Sequence, residues 1–319
     1  DIKKTQTASL ESNTARVAIV RGAFLEYAEW DHYVDEIQRL EQVTKADVVD
    51  VANRYFGDNY VAVYRADGPP EIPEVEKPQI DPVAIDPTRQ SQLAAPVLAM
   101  ATAPIEPSYV QEGQDYRVVE FADGVPLYYA PNPLNDLFSF SISVDVGSEA
   151  DEKLGLAAAI MDKAGTPQFS NEELQKEWYR MGSEFRFGTS ENQSSIAISG
   201  LDEQFAPTLQ LMMELVKNPV AEPQTLEELK GILLKSREDQ KESPQAISRA
   251  LYLFNRYGEE SPLLEAMTSE EIRNTTLDEL LHLPGELLGY EHPLAYTGSL
   301  PLEELVEILR RYHDVGGEL

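Results

Sequence analysis

The residues best suited to chemistry in this chain are its histidines, of which there are only four: His32, His282, His292 and His313. A zinc site built on one helix needs two imidazoles three or four residues apart. No two of these histidines have that spacing, so the sequence predicts no helical zinc pair. We expect His32 to be an exposed helix residue. His292, which precedes Pro293, is expected at the end of a strand.

The motifs of other common catalytic sites are also missing. The chain has no Gly-x-Ser-x-Gly nucleophile elbow and neither of the two glycine-rich loops that bind nucleotide phosphates. It has no cysteine, which excludes disulfides and thiolate metal ligands. Acidic pairs such as Glu172-Glu173 and Glu303-Glu304 fall where helices are expected to begin, and the helix dipole favours carboxylates there. The sequence therefore names no catalytic or metal-binding residue and leaves the substrate-binding residues unknown.

One further run, Asn-Arg-Tyr-Gly at 255–258, combines an arginine with a tyrosine. Such a pair can anchor a peptide carbonyl or a carboxylate. The alternative interpretation is structural, with the run forming the end of a helix that Gly258 closes. We favour the helix end and assign no binding role to this run.

Composition limits the classes of partner. The chain has 56 acidic and 26 basic residues, for a net charge of −30. Phosphates repel such a surface, so neither nucleic acid nor anionic membrane is an expected partner. No run approaches the roughly 18 apolar residues of a membrane span, and no signal peptide is visible. The charge favours basic substrates or serves solubility, and we prefer the second explanation.

The clearest strand and helix of the chain lie together in residues 138–166. The strand is predicted from alternate apolar residues, which are Phe138, Phe140, Ile142, Val144 and Val146. A turn at Gly147-Ser148 and a charged run follow. The next helix is predicted from residues at helical spacing, which are Leu156, Ala157, Ile160 and Met161. Gly165 is expected to close this helix in a left-handed conformation.

This stretch resembles the central signature of the M16 (insulinase, pitrilysin and processing-peptidase) zinc metallopeptidases. The shared features are the strand, Val-Gly-Ser, an acidic turn, Gly-Leu-Ala-Ala-Ala and Gly-Thr. In active M16 domains this helix carries His-x-x-Glu-His, whose histidines bind Zn²⁺ beside a glutamate that activates water. Here the helix reads Ala158-Ala159-Ile160-Met161-Asp162, which cannot build that site. It resembles instead the helix of the second, non-catalytic repeat.

Residues 1–66 read as three helices followed by a strand at 60–64. The run 43–56 resembles the closing helix of an M16 half-domain, so we interpret residues 1–66 as the C-terminal tail of a preceding M16-like domain. Thr44 and Asp47 predict a capping box at the start of the third helix. Helical stripes are expected to face a core, and they comprise Val17, Val20, Phe24, Tyr27, Val34, Ile37, Leu40, Val48, Val51, Ala52 and Tyr55.

Residues 67–114 change in character. Nine of the 21 prolines of the chain lie between Asp67 and Glu112. Dense proline removes backbone donors and favours extended geometry. We therefore predict an inter-repeat linker, which is also what the larger M16 chains have at this position.

Residues 115–319 are predicted to form one α/β unit. A hairpin is expected from strands at 117–121 and 125–129 across Asp123-Gly124, with further strands at 185–187, 194–200 and 290–297. Ser170, Thr225 and Ser243 are expected to cap helices. The helix after Ser243 is predicted to bury Ile247, Leu251 and Phe254, and a last helix to bury Leu302, Leu305, Val306, Leu309 and Tyr312. The expected fold class is α/β (α+β), an M16 metallopeptidase-like half-domain with a mixed or antiparallel sheet packed with helices.

The resemblance implies a function for the whole assembly. We expect the non-catalytic middle portion of a two-repeat M16-type zinc metallopeptidase, in which this chain forms part of a peptide-enclosing chamber. Zinc would be bound upstream and not by this chain, which alone would be inactive. Expected partners are a catalytic M16 repeat, in the same chain or a separate subunit, and peptide substrates. Because the chain opens with Asp1, we expect a longer precursor, and the bacterial periplasm is our preferred compartment.

Two alternatives remain open. The chain could be a catalytically dead M16-like subunit that acts as scaffold or partner of an active subunit. A His-x-x-Glu-His motif upstream in the same polypeptide would distinguish the first hypothesis from this one. The chain could also be an unrelated acidic α/β binding module, which would lack the predicted sheet with its helices. Substrate, cleavage preference and assembly state do not follow from the sequence.

Overall fold

The computed structural model describes residues 2–25, 30–66, 68, 77–79, 86–102, 104 and 106–315. Tyr27 and the side chain of His32, both named above, lie outside the described residues. The chain divides into two compact units, one made of Asp1–Ile37 and Val110–Leu319 and the other of Gln38–Tyr109. The domain boundaries predicted at residues 66 and 114 from proline content and family resemblance stay a prediction. Among the described helices, none combines the length and apolar character that a membrane crossing requires.

The larger unit contains a six-stranded sheet. Its strands are β1 (Arg117–Ala122), β2 (Val125–Pro131), β3 (Leu137–Val144), β4 (Glu184–Thr189), β5 (Ser194–Leu201) and β6 (Leu294–Gly298). Their order across the sheet is β1-β2-β6-β3-β5-β4. Strands β2 and β6 run parallel, and every other neighbouring pair is antiparallel. The predicted mixed sheet and the predicted hairpin are therefore confirmed.

Helices precede, interrupt and follow these strands. Those before the sheet are α1 (Ile2–Ser9), α2 (Asn13–Leu25), α3 (Trp30–Val34), α4 (Glu36–Glu41), α5 (Lys45–Tyr55) and α6 (Ala94–Leu98). Those within and after it are α7 (Leu154–Met161), α8 (Asn171–Met181), α9 (Phe205–Lys217), α10 (Pro223–Gln240), α11 (Pro244–Tyr257), α12 (Pro262–Glu265), α13 (Ser269–Asn274), α14 (Leu277–Glu286) and α15 (Leu302–Tyr312).

The core of the larger unit lies between the sheet and these helices. The alternation predicted for β3 is confirmed, since Phe138, Phe140 and Val144 are all buried, although the strand ends at Val144. Phe205 at the start of α9 packs edge-on against three rings, with centroid distances of 5.0 Å to Phe138, 5.8 Å to Phe140 and 5.2 Å to Tyr296. Edge-to-face aromatic packing of this kind adds to the stability that burial provides. The sheet and α9 therefore share one aromatic core.

Most of the predicted helix starts are confirmed. The capping boxes at Thr44 and Ser170 are both present, and the Ser243 side chain caps α11. The cap predicted at Thr225 is wrong, because α10 already begins at Pro223 and Thr225 lies inside it. Proline suits the first helical position, where its φ is already helical and its missing N–H would have had no partner.

The apolar stripes predicted to be core in the first 66 residues are largely exposed, and the prediction of burial is wrong for them. The exposed side chains include Val17, Val20, Phe24, Val34, Leu40, Val48, Val51 and Tyr55. Helix α5, for example, has no buried residue. Helical periodicity locates an apolar face, but only a neighbouring element can cover it. Within the described residues, these faces do not have that cover.

Two other predictions fail for the same reason. The run 60–64 was expected to be a strand, but it is irregular, and Val61 and Val63 are about nine-tenths exposed. A strand requires the backbone of a second strand, and the described residues provide none for this run. On α11, the predicted inward residues Ile247, Leu251 and Phe254 are exposed, and no residue of this helix is buried.

Candidate functional site

The candidate site is the region around α7, where active M16 domains would carry their zinc ligands. The turn that leads into α7 is held by backbone hydrogen bonds. The Ser148 N–H donates to the Ser190 carbonyl at 2.9 Å, and the Glu149 N–H donates to the Glu191 carbonyl at 2.8 Å. Gly147 lies so close to this loop that a Cβ would meet the Glu191 oxygen at 2.4 Å. A glycine is therefore required where β3 turns toward α7.

Helix α7 directs its side chains into the core. Its buried residues are Leu154, Leu156, Ala157, Ile160 and Met161, which confirms the predicted inward face. The helix contains no histidine, cysteine or carboxylate. Asp162, which follows its last turn, is exposed. Zinc-dependent hydrolysis needs side chains that bind the metal through nitrogen, sulfur or oxygen, and a base that activates water. The side chains of α7 provide none of these.

An ion pair holds the start of α7 against α14. Lys153 Nζ lies 2.7 Å from Glu279 Oε1, and the same carboxylate accepts the Thr276 N–H at 2.8 Å. These partners, Lys153 foremost, lower the pKa of Glu279 to about 2. A carboxyl group with that pKa stays ionised near neutral pH, so it cannot act as a general acid. The pair positions α7 and has no sign of a catalytic role.

The left-handed cap predicted at Gly165 is wrong. Helix α7 ends at Met161, and Gly165 does not have a positive φ. Instead Gly165 exchanges two backbone hydrogen bonds with Val220, of 2.7 Å and 2.9 Å. A Cβ at this position would lie 2.3 Å from the carbonyl oxygen of Phe169. Glycine is needed here for close backbone approach and not for backbone conformation.

A cleft of about 360 Å³ lies between the end of α7, helix α8 and the start of β4. Its charged lining residues are Asp162, Lys163 and Glu184. Glu184 is paired, accepting hydrogen bonds from Lys4 at 2.6 Å and from Arg186 at 3.2 Å. Both partners, Lys4 foremost, hold its pKa below the ordinary value. In the part of the chain that the structure describes, no group of histidines and carboxylates could hold a metal ion.

The fold brings together two histidines that sequence spacing kept apart. His292 Nε2 lies 2.8 Å from His313 Nε2, and both rings are buried. His292 directly precedes Pro293 and β6, which confirms its predicted place at a strand end. His282 lies apart and exposed on α14, with its Nδ1 2.7 Å from the Asp278 carbonyl oxygen. No local pattern predicts the buried pair, because β6 and α15 must first fold to bring its members together.

The run 255–258 behaves as a helix end. Gly258 ends α11 with a φ of 64°. Arg256 donates to the Tyr252 hydroxyl at 3.2 Å and lies 5.3 Å from the ring centroid of Tyr257. These side chains are exposed. The structural interpretation of this run is therefore confirmed.

Comparison with known proteins was informative only at the level of structure. No protein-family profile matches the chain, and no curated protein is a significant match to its sequence. The peptidase M16 inactive domain from Pseudomonas fluorescens is similar, with a TM-score of 0.54 and 19% identity, over 64% of this chain and 52% of that one. The periplasmic protease PqqL from Escherichia coli is similar with a TM-score of 0.56 and 12% identity, over 87% of this chain and 29% of its own.

A third similar structure is a mutant of the ferredoxin protease FusC in complex with Arabidopsis ferredoxin, with a TM-score of 0.53 and 14% identity. The match covers 95% of this chain and 36% of FusC. The present chain thus spans about half, or less, of each of these structures. It has an M16 peptidase-like fold, which is the fold that the sequence predicted.

Proposed function

We propose that this chain is the non-catalytic portion of a two-repeat M16-type zinc metallopeptidase and forms part of the wall of a chamber that encloses peptides. The zinc ion, its ligands and the glutamate that activates water belong to a catalytic repeat outside these residues. One observation carries the proposal. The sequence resemblance aligns α7 with the zinc-binding helix of active M16 domains, and α7 presents only apolar side chains and glycine.

Four further observations support the proposal. The fold is shared with a domain described as inactive in Pseudomonas fluorescens and with two proteases. FusC was solved with a protein bound, and PqqL is periplasmic, which supports a polypeptide substrate and a periplasmic location. The net charge of −30 favours basic segments among possible substrates. An unrelated binding module would lack the predicted sheet and its helices. Both are present, so that alternative loses its main support.

The test is made first on the 319-residue chain. We expect no stoichiometric zinc by elemental analysis and no chelator-sensitive hydrolysis of quenched fluorescent peptides, in basic and acidic versions. Escherichia coli PqqL, measured in parallel, is the control for the assay. Stoichiometric zinc together with chelator-sensitive turnover by this chain alone would overturn the assignment of α7 as inert.

The native protein then separates the proposal from its alternative. The full-length polypeptide, isolated from its source, is expected to contain zinc and His-x-x-Glu-His in the same chain. If zinc and activity instead belong to a separate polypeptide that copurifies, the chain is a catalytically dead subunit that supports an active partner. The absence of zinc from both would exclude the peptidase assignment.

A further inference from the structure

The buried histidine pair joins two elements that are far apart in sequence. His292 leads into β6, which lies between β2 and β3 inside the sheet. His313 follows the last residue of α15, and its N–H donates to the Leu309 carbonyl at 2.7 Å. The exposed fractions are 0% for His292 and 2% for His313. Their Nε2 contact is therefore a dry connection between a central strand and the end of a helix.

The positions of the protons follow from the partners. His292 Nδ1 lies 2.6 Å from the Tyr290 carbonyl oxygen. A carbonyl only accepts hydrogen bonds, so Nδ1 carries the hydrogen and the Nε2 of the neutral ring is an acceptor. His313 Nε2 must then donate to it. His313 Nδ1 is left with a lone pair that has no hydrogen-bond partner in the described part of the chain.

Acid can protonate either ring of this pair. A proton on His313 Nδ1 leaves the hydrogen bond between the two Nε2 atoms intact, but it places a positive charge in the buried pair and creates an N–H that has no acceptor among the described residues. A proton on His292 Nε2 would place two N–H groups against each other and break the bond. The Phe121 ring stacks on His313 at 6.1 Å and offers no acceptor. Lys217 at the end of α9 opposes a positive charge on His313, and a proton on His292 would oppose it as well.

We propose that His292 and His313 form an acid-sensitive latch, which holds the end of α15 against the start of β6 while both rings are neutral and opens when the pair takes up protons. Opening frees the last turn of α15 and residues 313–315. Val315 packs against the core in the closed state and would become exposed. The latch does not depend on zinc or on peptidase activity.

The direction of the pH dependence follows from linkage. Burial lowers the pKa of His292. Burial, together with repulsion from Lys217 and from His292 when that ring is protonated, lowers the pKa of His313 to about 3. A histidine with a depressed pKa in the closed state contributes stability that is complete above its free pKa and is lost as the pH falls below it. With a free pKa near 6.5, protonation of His313 alone raises the population of the open state relative to the closed state by about 25-fold between pH 7 and pH 5.

The experiment is amide hydrogen exchange at 309–313 in the complete chain, expressed as protection factors relative to intrinsic rates at each pH. The His313→Gln variant keeps a donor toward His292 but cannot titrate. Between pH 7 and pH 5 the protection factors of the wild type should fall. We expect that fall to be about 25 times larger, as a ratio, than the fall in this variant. His282→Gln, which removes an exposed histidine, is the matched control and should behave as the wild type. Equal falls in the wild type and His313→Gln would overturn the latch.

A measurement on the wild type covers the case in which a variant does not fold. Nitrogen NMR of the imidazole rings at pH 7 should show His292 protonated at Nδ1 and His313 at Nε2. On acidification these two rings should keep their neutral forms well below the pH at which His282, whose pKa is raised, becomes charged. If all three histidines titrate together, the rings are accessible to protons in the closed state and the proposal is refuted.

Discussion

Gly165 provides a direct test of the reasoning about the turn after α7. In Gly165→Ala the new Cβ would lie 2.3 Å from the Phe169 carbonyl oxygen and 2.9 Å from the Asn171 nitrogen, and both are backbone atoms. The segment must move, which strains the 2.8 Å hydrogen bond from the Thr166 N–H to the Phe169 carbonyl. Overpacking costs about 1–3 kcal/mol and a weakened hydrogen bond about 1 kcal/mol. Alanine also lowers the conformational entropy of the unfolded chain, which stabilises the folded state by about 0.4–1 kcal/mol.

The net expectation is a loss of about 1–3.6 kcal/mol in the free energy of unfolding, or roughly 2–14 °C in Tm for a unit of this size. Urea unfolding followed by circular dichroism measures it. Gly155→Ala is the matched control, because Gly155 lies inside α7 with open space around its missing Cβ. Alanine there should stabilise by about 0.5–1 kcal/mol. A Gly165→Ala protein as stable as the wild type would refute the close-approach argument.

Two further predictions concern burial. The Asp202 carboxylate accepts the Tyr296 hydroxyl at 2.9 Å and a backbone N–H at 2.9 Å, and Asp202→Asn leaves one of these donors unpaired. We expect a loss of about 1–3 kcal/mol by urea unfolding, against no change in the exposed control Asp162→Asn, and equal stabilities would contradict the network. Leu251 on α11 is 61% exposed and Leu305 on α15 is 0% exposed. Leu251→Ala should therefore change the free energy of unfolding by no more than about 0.5 kcal/mol, and Leu305→Ala should lower it by about 2–5 kcal/mol. Similar losses in both variants would show that another element covers α11.

Much of the larger unit could be predicted from local pattern. The alternation in β3, the turn at Asp123-Gly124 and the capping box at Ser170 all appear where the sequence indicated. Each of these features depends on residues that are close together in the chain. The spacing of apolar residues and the residue types of turns are therefore sufficient to predict it. The same holds for the inert character of α7, because the absence of ligands is a property of its residues alone.

Predictions failed where the answer depends on distant residues. The stripe of Ile247, Leu251 and Phe254 has the period of a buried face, but period does not identify what covers it. The run 60–64 has strand composition, but its strand partner is not part of its own pattern. His292 and His313 are 21 residues apart and meet only through the order of β6 and α15. The spacing of apolar residues along the chain predicts helices and strands better than it predicts the contacts between them.

The signature that first indicated M16 separates into two sets of residues. Gly147 and Gly165 meet neighbouring backbone atoms so closely that no other side chain fits, and they therefore keep the strand, turn and helix in place. The residues that the resemblance aligns with the zinc motif are Ala158, Ala159, Ile160, Met161 and Asp162, of which Ile160 and Met161 are buried in the core. The geometric requirements of the strand, turn and helix are therefore met by residues other than those that would bind zinc. This separation explains why a signature without its zinc ligands still predicted the fold.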